Sequence, residues 1–313
     1  MKLTSYWRIV GIGLGGKSIS MGQPLVSIIM NCYNGSRFLR EAIDSVYAQT
    51  YQNWEIIFWD NTSTDSSAQI AQSYDKRLKY FLSETFTTLG VARELAVNQA
   101  KGDYIAFLDC DDYWFNNKLS QQIPLFRDSK IGLVYSNYWI KNCKSKYISS
   151  KAILPTGYIL EDLLNNYSIG FLTVLFKKDV FKNDTSLFNT NYNIIHDFDL
   201  IIRISIDWKF SCIQDPLACY RYHGKNETVM KNSQYIDELE HWIDENKSNS
   251  SIASKKSFYR RKDILLYLKG KKLVKDGNKV GALNCFFKIS FCIEKIKLFS
   301  IIFLPKKIIE NNF

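Results

Sequence analysis

An apolar run over residues 25–30 has the length and β-branched content of a buried strand, and it stops at Asn31-Cys32-Tyr33-Asn34-Gly35, a cluster of turn-forming residues. Phe38, Leu39, Ala42, Ile43 and Val46 then recur at steps of three and four, the spacing of an amphipathic helix. The same sequence of events repeats. A second strand (54–59) ends on Asp60, a helix (66–74) leads to a short strand (78–82), and a helix over 89–100 leads to a strand that begins at Tyr104 and runs into Asp109-Cys110-Asp111-Asp112. Strands alternating with helices predict an α/β protein with a mixed, mostly parallel sheet and helices on both faces. Ligands of such sheets sit at the carboxyl ends of the strands, so one crevice could collect Asn31, Asp60 and Asp109.

Beyond Lys118 the alternation weakens. Apolar strands are expected near 131–135 and 171–176, and a last one over 217–223. Between them His196, Asp197 and Asp199 lead an apolar helix. From residue 255 the spacing of Ile264, Leu265, Leu268 and Leu273 is helical, Asp276-Gly277-Asn278 breaks it, and Ala282, Phe286, Phe287, Ile289 and Ile293 resume it, which predicts a helical hairpin at the C-terminus.

Charge sharpens that division. The 313 residues carry 41 Lys and Arg against 31 Asp and Glu, yet residues 255–313 alone hold 15 against 4, so the preceding chain is close to neutral and the tail is strongly basic. Basic helices interleaved with aliphatic and aromatic side chains suit an anionic membrane surface. Nucleic acid is the competing partner for a basic patch, but no nucleic-acid motif accompanies it and none is expected to bind. The longest uncharged apolar runs, 9–16 and 298–304, fall far short of the ~18 residues that span a bilayer. Seven cysteines, an odd number without a C-x-x-C pair, argue against a disulfide framework or a structural zinc site and fit a reducing compartment.

Two stretches carry candidate chemistry on residue type alone. Asp109, Asp111 and Asp112 crowd three carboxylates into four positions. Such a cluster is either an ordinary turn or a site where a hard cation takes one or two carboxylates together with substrate phosphates. Residues 11–18 match G-x-x-x-x-G-K-[ST], but Gly22 and Pro24 leave no room for the helix whose N-terminus would hold the phosphate. A P-loop nucleotide-binding protein is therefore the lesser alternative, and residues 1–23 are expected to be an N-terminal extension outside the fold. Deleting residues 1–20 would separate the two readings.

Five segments in register give a more specific reading: residues 24–34, 45–51, 59–65, 100–105 and 108–112 resemble the inverting family 2 glycosyltransferases of the GT-A fold, of the bacterial surface-polysaccharide type. The resemblance runs from about Pro24 to Thr228. It implies transfer of one sugar from a nucleotide-diphospho-sugar to a carbohydrate acceptor, which for this type would be a lipid-linked glycan, with Mg²⁺ or Mn²⁺ bridging the donor diphosphate to the protein. Carried over residue by residue, it assigns Asp111, Asp109 and His223 to the metal and Asp197 to the general base. It places Asn31, Tyr33, Asn34, Asp60, Asn61, Arg93, Asp109, Cys110 and Arg221 around the donor nucleotide. Asn61 stands where the family usually has Asp, and it can donate as well as accept a hydrogen bond. For Arg93 a solvated helix position is the plain alternative, and for Asp197 a first-turn acid that only meets the helix dipole.

The resulting expectation is a GT-A catalytic domain over 24–245, with a nucleotide-binding half (24–115) and an acceptor half (116–245), followed by a basic helical extension (246–313). The enzyme would work in the cytoplasm, peripherally attached to the inner face of the membrane. The alternative in another class is a non-catalytic GT-A-like scaffold.

Overall fold

Strand β1 (Val26–Cys32) is buried at every position, which is why apolar residues stand on both of its faces rather than in strict alternation. The computed structural model describes residues 23–182, 186–223, 226, 231–290 and 292–303. The motif at 11–18 lies outside the described residues. β1 pairs in parallel with β2 (Trp54–Asp60) on one side and β4 (Tyr104–Phe107) on the other, and β3 (Leu78–Leu82) extends the parallel half beyond β2. The period of two divides β1 between two cores. Val26, Ile28 and Met30 pack with Leu39, Ala42, Ile43 and Val46 of α1 (Ser36–Tyr47), while Ile29 faces the core shared with Ala96 of α3 (Leu89–Val97). A short α2 (Ser67–Gln72) connects β2 to β3.

The second half makes the sheet mixed, as expected, while the longest ladders remain parallel. β5 (Tyr113–Trp114), α4 (Lys118–Gln122), β6 (Ile131–Lys141), β7 (Lys146–Ile148), α5 (Leu160–Asn165) and β8 (Leu175–Lys177) precede α6 (His196–Asp207) and β9 (Lys209–Arg221). The sheet runs β3-β2-β1-β4-β8-β6-β9-β5, with β7 paired to β6. β8 is antiparallel to both β4 and β6, β5 is antiparallel to β9, and β6 and β9 are parallel. The strand expected over 171–176 starts as a helical turn, Phe171–Thr173. There the Thr173 hydroxyl donates to the Gly170 carbonyl (2.7 Å) and the Trp114 indole N–H takes the Leu172 carbonyl (2.8 Å), which removes those groups from any ladder. β9 begins eight residues before the expected 217, and it accommodates Pro216 opposite a register shift at Asn137.

The C-terminal region is helical: α7 (Asn232–Glu245), α8 (Ser250–Ala253), α9 (Lys256–Lys275), α10 (Lys279–Lys288) and α11 (Ile293–Ile302). The break falls at 276–278, where Gly277 adopts a left-handed φ of 80° and the Asn278 side chain caps the Gly281 N–H (2.8 Å). Ile252, Phe258 and Leu265 pack into the same core as Trp242, Phe198 and Leu163. The Arg261 guanidinium, also buried, bonds the Leu163 carbonyl. Val274, Ala282, Ile289, Leu298, Ile301 and Ile302 form a separate small core. No helix among the described residues is long and apolar enough to cross a membrane.

Candidate active site

The ends of β1 and β4, the turn before α1 and the start of α6 converge on one cavity of about 980 Å³. Asn31, Tyr33, Asn34, Arg93, Asp109, Cys110, Asp111, Asp197 and His223 all line it. Three expected residues do not. Asp60 is fully buried and accepts from the Ser63 N–H (2.8 Å) and the Tyr80 hydroxyl (2.8 Å), so it holds the β2 loop rather than facing a ligand. Asn61 donates to the Thr87 carbonyl (2.8 Å) and accepts from the Thr87 N–H (3.1 Å). Aspartate could not make the first of these bonds, which gives Asn61 a role in tying the loop before α3. Arg221 lies between the Phe38 and Tyr113 rings, ion-paired to Glu41, and donates to the Asp111 carbonyl (2.7 Å); it supports the acidic turn from behind.

The loop carrying Tyr33 and Asn34 is held against the β2 loop. Asn34, at φ 52°, accepts from the Thr64 N–H (2.8 Å), and its own N–H donates to Ser63 Oγ (3.0 Å). Asp65 accepts from Ser36 and Ser67; burial would raise its pKa, but those hydrogen bonds bring it down to about 2. Tyr33 is 54% exposed and meets Phe86, 61% exposed, edge to face at 4.8 Å, a pair of aromatic surfaces at the rim. The Asn31 side-chain NH₂ is buried at the cavity wall without an acceptor among the described residues, which leaves it for a ligand oxygen. Cys110 donates its thiol to the Asn31 carbonyl (3.0 Å).

Within the acidic turn the three carboxylates have three environments. Asp109 forms an ion pair with Arg93 (2.6 Å). Asp111 meets His223 Nε2 (2.9 Å); burial and the Asp109 charge push its carboxyl above the ordinary range, partly offset by His223. Asp112 is buried, accepts from the Arg221 N–H (2.8 Å), and is raised further by burial and by its two acidic neighbours. His223 also stacks on Phe38 (5.6 Å).

Arg93 is neither a solvated helix residue nor free. It is buried, lies over the Phe171 ring (4.6 Å), and spans from Asp109 on the acidic turn to His196 Nε2 (2.7 Å) at the start of α6. An arginine cannot accept, so His196 Nε2 is the acceptor and its Nδ1–H donates to the Asn193 carbonyl (2.9 Å). Burial and the Arg93 charge lower the His196 pKa to about 3, so the ring stays neutral. Asp197, next along, reaches the cavity. Burial pushes its carboxyl up while Arg93 opposes the shift, and its only hydrogen bond among the described residues comes from the Phe198 N–H (2.8 Å). Asp199 points away, to Arg203 (3.0 Å) and the Trp242 indole (3.0 Å). On α7, Glu238 accepts from the N–H groups of Asn193, Ile194 and Ile195 (2.8–3.1 Å) and so sets the start of α6.

Sequence reasoning missed Phe86 at the rim, Glu238 behind α6, and the Tyr138, Tyr167 and Tyr220 side chains that line the same cavity. Each comes from another element, and no local spacing signals it.

Residues 27–194, just over half of the chain, match the family model described as glycosyl transferase family 2. The chain is a family 2 glycosyltransferase. It is 34% identical over 216 residues to the UDP-Glc:alpha-D-GlcNAc-diphosphoundecaprenol beta-1,3-glucosyltransferase WfgD of Escherichia coli, covering 68% of this chain and 82% of WfgD. To the putative teichuronic acid biosynthesis glycosyltransferase TuaG of Bacillus subtilis (strain 168) it is 31% identical over 160 residues, covering 50% of this chain and 64% of TuaG. An uncharacterized Rickettsia typhi glycosyltransferase matches at 34% over 189 residues, and the chain spans only 57% of that relative. Among solved structures, S. aureus TarS 1-349 in complex with UDP-GlcNAc superposes with a TM-score of 0.59 at 16% identity, covering 88% of this chain and 80% of TarS 1-349. The mannosyltransferase PcManGT from Pyrobaculum calidifontis, in complex with GDP-Man and Mn²⁺, gives 0.60 at 13% identity, covering 90% and 79%. The glycosyltransferase thus has the GT-A fold and is an enzyme of that family rather than a scaffold.

Proposed function

We propose that the glycosyltransferase moves one sugar, with inversion, from a nucleotide-diphospho-sugar to a lipid-linked glycan in surface-polysaccharide assembly. The observation that carries this reading is the Arg93 bridge, which ties the acidic turn to the start of α6 and leaves Asp197 on the same cavity as Asp109 and Asp111. Inversion needs one base for the attacking hydroxyl. Asp197 fits that role: it faces the cavity, while Asp199 is consumed by Arg203 and Trp242. A carboxyl raised above its usual range is also the stronger base once ionised.

Among the described residues no group of three or more His, Cys, Asp or Glu could hold a metal unaided. Asp111 and His223 nevertheless offer one carboxylate and one imidazole side by side, a donor set that suits Mn²⁺ and, through the carboxylate, Mg²⁺, when phosphate and water complete the shell. Such an ion would supply Lewis-acid charge to the departing diphosphate. The protein's own part is to position. Asn31 offers its unpaired NH₂ to the donor, Tyr33 with Phe86 gives the base an aromatic surface, and Arg93 locks Asp109 and His196 so that Asp197 keeps its aim. Relatives named for UDP-Glc and UDP-GlcNAc favour a uridine donor, and WfgD favours an acceptor on a diphosphate-linked lipid. We extend the catalytic unit from the expected 24–245 to include α9 as its closing helix, because Phe258 and Leu265 share its core. The remaining basic helices would form a peripheral attachment to the inner face of the cytoplasmic membrane.

A panel of nucleotide sugars tested for hydrolysis with and without Mn²⁺ or Mg²⁺ decides the donor reading. The expected result is turnover of one UDP-sugar that chelation abolishes and added metal restores. Turnover unaffected by chelation would remove the metal, and no turnover across the panel would remove the donor class.

A further inference from the structure

The last helix carries the clearest surface that catalysis does not use. α11 buries Leu298, Ile301 and Ile302 in the small C-terminal core and turns Ile293, Ile296, Phe299 and, just past its end, Phe303 outward. Those four recur at steps of three or four and are 49, 53, 50 and 64% exposed, so they form one apolar stripe. Phe287 of α10, 73% exposed, continues it. Phe286 joins the two helices, 5.3 Å from Phe287 and 5.7 Å from Phe299, and Phe299 meets Phe303 at 4.8 Å.

The charge around the stripe is of one sign. Lys288 and Lys297 are exposed, and Lys295 reaches over the Phe286 ring (5.0 Å). Glu294 is the only acid in residues 279–303, and it is turned inward, ion-paired to Arg260 (3.2 Å). α10 and α11 therefore present aromatics and lysines and no outward carboxylate. Two copies meeting through this face would oppose lysine to lysine. An anionic bilayer meets both features: acyl chains take the rings, and headgroups take the ammonium ends of snorkelling lysines. A ten-residue helix, about 15 Å long, lies in the interface rather than crossing it.

We infer that the α10–α11 face is the membrane-docking surface, inserting Phe287, Ile293, Ile296, Phe299 and Phe303 among the lipids of an anionic membrane. This rests on the peripheral attachment proposed above and replaces diffuse attraction to a basic tail with a defined, partly hydrophobic contact.

The test uses the full chain and sedimentation with vesicles of phosphatidylcholine, alone or with about one-third phosphatidylglycerol. Wild type should sediment with the anionic vesicles and retain part of that binding in about 0.5 M NaCl, where screening is nearly complete. The exposed double variant Ile296→Ser/Phe299→Ser should lose about tenfold or more in partitioning, since each removed apolar side chain no longer enters the acyl region. Lys295→Gln/Lys297→Gln should weaken binding at low salt and leave the salt-resistant part. Absence of wild-type sedimentation, or wild-type sedimentation by Ile296→Ser/Phe299→Ser, overturns the inference. So does a wild-type oligomer, seen by light scattering, that the double variant dissolves, because the face would then be covered by a second copy. Should the serine variant melt early, Phe299→Trp with brominated lipids serves instead: quenching of the added fluorescence is expected, and its absence refutes insertion. Donor-dependent thermal stabilisation, measured on the same samples, reports on the catalytic reading separately and should be equal in wild type and surface variants.

Discussion

Asp197 is the residue on which the catalytic assignment turns, and its environment separates a working base from a helix-start acid. Asp197→Asn keeps the shape and the bond from the Phe198 N–H. Transfer at saturating donor should fall by ~10²–10⁴-fold while donor binding survives. Stability should move the other way. Burial raises the native pKa of Asp197 above its unfolded value, so across that window the native state holds more protons and stability falls as pH rises. The asparagine variant escapes that loss and should melt higher than wild type at neutral pH, with the advantage vanishing below the unfolded carboxylate range. A purely structural acid would give the opposite, an active and destabilised variant. Asp199→Asn should keep its turnover, because that side chain is turned away from the cavity to Arg203 and Trp242. For wild type, the acid limb of the rate should lie above the ordinary carboxylate range. Measured kcat, donor affinity and melting temperature across pH check all of these together.

Elements with strong periodicity are legible in the sequence alone. α1 and the 276–278 break declare themselves through apolar spacing and turn chemistry, because one face of each helix must be buried and a left-handed glycine suits a helix end. The turn at Phe171–Thr173 was not legible, because side-chain hydrogen bonds from Thr173 and Trp114 overrode an apolar run. Nor was the place of α9, which reads as part of a basic tail and yet closes the catalytic core with Phe258 and Leu265. α9 packs on α7, whose Glu238 and Trp242 hold α6 in place, so the position of Asp197 depends on helices beyond the family motifs. Removal of residues from 279 onward should therefore leave a folded protein that still binds donor. Removal from 255 onward should give no folded protein, and Phe258→Ala alone should cost ~3–5 kcal/mol. Soluble yield and denaturant midpoints of the two truncations are the measurement. A stable protein ending at 254 would show that α9 is an appendage.

The whole site joins groups from distant parts of the chain, which explains both what the sequence disclosed and what it withheld. Asp109 and Asp111 announce themselves at a strand end, but Asp109 is held by Arg93, Asp111 faces His223 from 112 positions away, and Asp60 is spent inside its own loop. The Asp111 and His223 pair also shapes how ligands should act together. With two side chains offered among the described residues, an ion held there takes its other ligands from phosphate or water, so a metal ion and a nucleoside diphosphate each strengthen the other's binding. Mn²⁺ alone and UDP alone should each raise the melting temperature little, and the two together should stabilise by more than their sum. At about 100 times the dissociation constant the joint effect would approach ~2.7 kcal/mol. Asp111→Ala should leave the fold intact, because the carboxylate sits on a turn rather than in an apolar core, and should abolish the excess. Thermal melts over a grid of Mn²⁺ and UDP concentrations read this directly. Strictly additive shifts in wild type, or an undiminished excess in Asp111→Ala, would detach the ion from the acidic turn.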